Sequence, residues 1–149
     1  PKTARHDPAS YHYKVLAGKD KAKIIKSALS LDELEGPLLR FDWRGYKEIH
    51  PDKDPAEATE YDYVPYQIYA HYLHNDCFLE DEYILKNART IQTPIYIIQG
   101  RYDMVCPPVT ACRLHKSVPS SKLYITLGSH DNDPENRTAR KTLVDTVFI

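Results

Sequence analysis

Thr93-Pro94-Ile95-Tyr96-Ile97-Ile98-Gln99-Gly100-Arg101-Tyr102-Asp103 is the stretch on which the fold turns. Four consecutive apolar residues, three of them β-branched on either side of Tyr96, stand between a proline and a glycine. That pattern predicts a strand covered on both faces, as in a parallel sheet. Toward the C-terminus, Pro107-Pro108 opens a helix to about Lys116, stopped by Pro119 and Ser120-Ser121. Leu123 to Leu127 then reads as a second strand and Gly128 to Asn132 as a loop. Asp133-Pro134 supplies an N-cap and first-turn proline for a last helix to Phe148. Strand, helix, strand, helix fits a right-handed βαβ unit at the end of an α/β sheet. Two parallel strands make no stable sheet alone, so the rest of the sheet is expected from elsewhere.

Toward the N-terminus the character changes near residue 80. A helix is expected from about Glu80, with acidic residues in its first turn and an apolar stripe of Ile84, Leu85, Ala88 and Ile91. Before it the chain is Tyr-rich, charged and helical in pattern, which divides it into a helical segment, 1–79, and an α/β part, 80–149. Ile24, Ile25, Ala28 and Leu29 share one helical face, and Asp32 to Tyr46 reads as a second helix around Gly36-Pro37. His50 to Glu60, with Pro51, Pro55 and many charges, reads as an exposed loop. From Tyr66 another helix places Ile68, Tyr69, Tyr72 and Leu73 on one face and ends by Asn75-Asp76.

Composition excludes several classes. The 149 residues are 42% hydrophobic and 28% charged, the balance of a globular protein with one core. With 20 basic and 21 acidic side chains, well dispersed, there is no electrostatic footprint for nucleic acid. No apolar run approaches the ~20 residues that span a bilayer, and Pro1 to Val15 has no signal-peptide core. Cys77, Cys106 and Cys112 are an odd set without metal-site spacing. A reducing, cytoplasmic setting with neither membrane nor nucleic acid as partner fits this composition, and no cofactor motif is present.

In an α/β sheet, reactive side chains collect just beyond the carboxyl ends of the strands. Asp103 follows the first strand and His130 the second, each by three residues. Neighbouring parallel strands lie ~4.8 Å apart, so the two loops can bring carboxylate and imidazole into hydrogen-bond contact. Such a pair can orient a histidine for general-base work on a serine, and acid before histidine is the chain order of the α/β-hydrolase triad. Taken singly, an Asp after a strand is as readily a turn residue and a loop His a solvated one.

Ile97-Ile98-Gln99-Gly100-Arg101-Tyr102-Asp103-Met104-Val105-Cys106-Pro107-Pro108 closely resembles the segment around the catalytic Asp of the proline iminopeptidases, an apolar strand followed by H/Q-G-R-Y-D-x-V-C-P. Ile68-Tyr69-Ala70-His71-Tyr72-Leu73-His74-Asn75-Asp76-Cys77-Phe78 resembles that family's cap segment, I-E-x-H-Y-F-x-N-x-x-F. The likeness is dense over residues 64 to 118 and faint from about Tyr11 to the C-terminus. It implies the C-terminal part of an α/β-hydrolase: a helical cap segment over 1–79 and the last βαβα unit of the core over 80–149. It also implies that Asp103 and His130 are the acid and base of a serine triad releasing N-terminal proline from peptides. The serine of a G-x-S-x-G elbow has no counterpart here: the five glycines, at 18, 36, 45, 100 and 128, include no such pair. Catalysis is therefore expected to require an N-terminal half, and this chain alone to be inactive.

The chain departs from the family where the cap carboxylates bind a peptide's amino terminus. The Glu of I-E-x-H-Y falls on Tyr69, and the Glu after Trp-x-x-Trp falls on Lys47, with Glu48 one residue later. These changes admit an esterase or an aminopeptidase of altered specificity, or a non-catalytic binding protein on the same fold. The family's Gly-His-Ser is Ser129-His130-Asp131 here. His71 and His74 lack a third metal ligand at partnering spacing, Asp131-x-Asp133 lacks most of a calcium loop, and Cys106 reads as a small core residue. No metal site is expected.

Overall fold

The computed structural model describes residues 6–130 and 133–147, which pack as two compact units. One takes in the chain up to Glu35 and Arg44–Glu80; the other takes in Gly36–Trp43 and the chain from Asp81 onward.

The first unit is helical. Helix α1, Pro8–Leu16, starts where the Asp7 carboxylate accepts from the Ser10 amide at 3.0 Å, with proline at its first position. Helix α2, Lys21–Leu39, runs through Pro37, and α3, Trp43–Ile49, follows separately. The expected single helix over 32–46 is thus divided between the end of α2 and α3. A short 3-10 turn, Pro55–Glu57, interrupts the exposed 50–60 segment.

Helix α4, Glu60–His74, begins six residues before the expected start at Tyr66. Its beginning is fixed by a capping box rather than by apolar periodicity. Asp62 accepts from the Thr59 amide at 2.7 Å and the Thr59 hydroxyl at 2.8 Å, and Lys53 joins it at 2.7 Å. Leu16, Ile24, Ala28 and Ala70 form the buried core where α1, α2 and α4 meet. Its polar edges are satisfied: Gln67 Nε2 donates to the Leu16 carbonyl at 2.7 Å, Tyr66 Oη to Asp32 at 2.8 Å, and the Ser27 hydroxyl meets His12 Nδ1 at 2.7 Å.

The second unit holds the sheet. Strands β1, Ile95–Gly100, and β2, Ser121–Thr126, pair in parallel with Ile95 opposite Ser121 and Gly100 opposite Thr126. Helix α5, Tyr83–Ala88, precedes them, α6, Pro108–Ser117, makes the crossover, and α7, Pro134–Val147, follows. Two expectations fail. Helix α5 stops before Ile91 and leaves Ile84 59% exposed, so its predicted stripe is cut short. β1, expected to be covered on both faces, is only half-buried until Gly100. A strand can be covered on both faces only where further layers lie against it, and the sheet of the described residues has two strands. Phe41 packs edge-on against Tyr102 with ring centres 5.1 Å apart, attaching 36–43 to this unit.

Candidate active site

The two strand-end loops are tied to each other. Beyond β1, the Arg101 amide donates to the Thr126 carbonyl at 2.9 Å and the Tyr102 amide to the Gly128 carbonyl at 3.0 Å. Gly100 makes this approach possible: a Cβ there would lie 2.2 Å from the Ser129 carbonyl oxygen and 2.6 Å from that of Gly128. None of the described glycines has positive φ, so Gly100 is required for space rather than for backbone conformation.

Asp103 comes next and is buried at 8% exposure. Its Oδ1 accepts from the Val105 amide at 3.0 Å and the Cys106 amide at 2.7 Å, and its Oδ2 from Gln99 Nε2 at 3.3 Å. Burial of a carboxyl group is tolerable because donors meet both oxygens. His130, with its side chain 34% exposed, places Nδ1 3.0 Å from both of them. A carboxylate facing Nδ1 favours the tautomer protonated there, leaving Nε2 with its lone pair for proton transfer. Gln99 Nε2 also donates to the Cys106 carbonyl at 3.0 Å, bracing the turn that presents Asp103.

A second network holds His130. Asp133 caps α7 by accepting from the Asn136 amide at 3.0 Å, and it also accepts from the Ser129 amide at 2.6 Å and the Ser129 hydroxyl at 3.1 Å. Asn136 Nδ2 returns a hydrogen bond to the Ser129 carbonyl at 2.8 Å, and its Oδ1 accepts from Thr126. Burial pushes the Asp133 carboxyl upward, but the hydrogen bonds from Asn136 and Ser129 outweigh it and leave the pKa below the ordinary value. Thr126 and Asn136 are the residues sequence reading missed, and Ser129 was read only as a departure from the family's glycine. Only the N-cap signal of Asp133-Pro134 pointed toward them.

The remaining sequence candidates lie in the first unit. Lys47 and Glu48 are on α3 and Tyr69 is on α4, 40% exposed. Lys47 is ion-paired with Asp52, so its charge is locally offset. His71 and His74 are engaged by aromatic rings: His74 stacks on Tyr13 at 4.0 Å, and His71 lies 5.4 Å from the Phe78 ring. Asp131, compared above with the family's serine and with a calcium loop, lies outside the described residues.

Cys106 is corrected from core to surface: the residue is exposed, on the turn whose Cys106 amide donates to Asp103. Desolvation, then the Asp103 charge, pushes that thiol's pKa up. Among the described residues, one group of three could hold a metal ion: Asp103, Cys106 and His130.

No protein-family model matches the chain. Individual proteins do. A Mycoplasma pneumoniae protein assigned by name to the proline iminopeptidases is 32% identical over 141 residues, 92% of this chain and 43% of that protein. A Leptolyngbya boryana protein similarly assigned is 33% identical over 128 residues, 84% of this chain and 38% of its own length. The proline iminopeptidase of Xylella fastidiosa is 30% identical over 143 residues, 91% of this chain and 43% of its own. The chain therefore spans less than half the length of these relatives, which fits a C-terminal portion. These similarities place it in the proline iminopeptidase family.

Proposed function

We propose that Asp103 and His130 are the acid and base of a Ser-His-Asp triad in a peptidase-like hydrolase that cleaves N-terminal residues, preferentially proline. The carrying observation is the 3.0 Å approach of His130 Nδ1 to both oxygens of a buried, amide-braced carboxylate at the ends of adjacent parallel strands. His130 Nε2 takes the proton of a serine as it attacks the substrate carbonyl, then returns it to the leaving amine. Asp103 fixes the ring and stabilises the imidazolium.

The serine and oxyanion hole come from a part of the protein beyond these 149 residues, and that part covers the sheet. Exposed apolar residues in and beside the strands, Tyr124 (41%), Ile125 (47%) and Leu127 (64%), support this. The 1–79 segment acts as the cap and 80–149 as the end of the catalytic core. In the active protein, Asp103→Asn should lower kcat about 10⁴-fold, because an amide favours the wrong imidazole tautomer. A variant retaining more than a tenth of wild-type kcat would remove Asp103 from the triad.

A second reading, a hydrolase for neutral acyl or ester substrates, is favoured by Tyr69 and Lys47 at positions where the family carries glutamates. A desolvated charge-assisted contact is worth ~2–5 kcal/mol, enough to invert a preference when it is lost. Comparing kcat/KM for matched blocked and unblocked proline substrates separates the two. Strong preference for the unblocked substrate refutes the second reading and assigns amine recognition to other carboxylates, Glu48 and the nearby Asp52 first.

A further inference from the structure

Asp103 and Cys106 sit on one turn whose shape is set by its own hydrogen bonds. The Val105 and Cys106 amides converge on Asp103 Oδ1, and Gln99 bridges the Asp103 carboxylate and the Cys106 carbonyl. The turn thus holds a carboxylate and a thiol together while the neighbouring loop brings an imidazole. One donor atom from each of Asp103, Cys106 and His130 lies within 4.8 Å of the other two. A cation at the centre of a triangle with 4.8 Å sides sits about 2.8 Å from each corner, so contractions of about 0.5–0.8 Å reach the ~2.0–2.3 Å bonds of zinc to O, N and S. Side-chain rotation supplies that much.

Sulfur, nitrogen and one oxygen are a poor set for Mg²⁺ or Ca²⁺ and a good one for Zn²⁺. We propose that Asp103, Cys106 and His130 form a binding site for a thiophilic divalent cation, Zn²⁺ first among them. Exposure of Cys106 gives the ion a route from solvent. Ligation displaces the thiol proton to bulk water and moves the imidazole proton from Nδ1 to Nε2 so that Nδ1 can bind; no electron is transferred, and three protein ligands leave a coordination position for water. A bound ion occupies the two groups that the proposed triad uses, so it should inhibit hydrolysis reversibly. That consequence rests on the proposed function, whereas the binding does not.

The test titrates the protein with Zn²⁺ against a chromophoric chelator, and with Co²⁺, whose thiolate charge-transfer band reports sulfur ligation. The expected result is one ion per chain. The band should persist in Cys77→Ser/Cys112→Ser, where Cys106 is the remaining thiol of these 149 residues, and vanish in Cys106→Ser. Zn²⁺ affinity should fall in Cys106→Ser and Asp103→Asn by at least the ~10–100-fold that changes around a metal's ligands cost. A band that survives Cys106→Ser, or disappears in the Cys77/Cys112 variant, overturns the site. Zn²⁺ bound at this site with hydrolysis undiminished refutes the roles given to Asp103 and His130 and leaves the metal site standing.

Discussion

Gly100→Ala perturbs the junction of the two strand-end loops by a single methyl group. The added carbon would lie 2.2 Å from the Ser129 carbonyl oxygen, 2.6 Å from the Gly128 oxygen and 2.8 Å from the Gly128 carbonyl carbon. All three are backbone atoms, so no rotamer change relieves the contact. Reaching even a tight 3.0 Å separation moves the 128–129 backbone by about 0.8 Å. The shift stretches the Tyr102–Gly128 hydrogen bond, now 3.0 Å, and carries His130 away from Asp103. Overpacking of this kind costs ~1–3 kcal/mol. A displacement of ~1 Å in a catalytic group costs about 100-fold in rate. The expected result is a lower denaturation midpoint with unchanged m-value and, in the active protein, kcat reduced about 100-fold with KM little altered. The His130 Nδ1 proton resonance should move toward that of free imidazole. Wild-type stability together with an unshifted resonance would refute the requirement for glycine.

Two further outcomes follow from the networks around the sites. Asp133→Ala removes both the α7 cap and the anchor of Ser129, so it should destabilise the fold by ~1–2 kcal/mol and raise amide exchange at Ser129; Asp133→Asn, which can still cap, should lose less, and equal losses would contradict the capping role. The Asp62 carboxyl is held down to about 2 by the Lys53 hydrogen bond first and those from Thr59 next. Because its folded pKa lies below the ordinary carboxyl value, its stabilisation of the α4 N-terminus is complete above pH ~4 and is lost as pH falls toward ~2. A carboxyl NMR titration with a midpoint near 4, or one insensitive to Lys53→Met, would refute the capping-box account.

The order of strand, crossover helix, strand and final helix was legible in residues 93–147, because Pro and Gly punctuate it and β-branched residues fill the strands. Asp103 and His130 stood out for the same reason: loops after parallel strands have a fixed place in the fold. Periodicity failed where a polar contact set the boundary. Helix α4 begins at the Thr59–Asp62 capping box, well before its apolar face becomes regular. Burial failed along β1, which the two-stranded sheet of the described residues leaves only half-buried before Gly100.

What the sequence determined by itself was the βαβ connectivity and the placing of Asp103 and His130 just beyond the two strands, since both are local in pattern. Tertiary structure decided the rest: that Gly100 must be glycine, that Lys47 meets Asp52, that Thr126, Ser129, Asp133 and Asn136 hold the His130 loop, and that Cys106 is exposed with its sulfur close to Asp103 and His130. The close approaches at Gly100 and around Cys106 join residues from two loops that meet because β1 and β2 lie side by side. Distances across that junction are set by strand register and hydrogen bonding, neither of which is written in the spacing of residues along the chain.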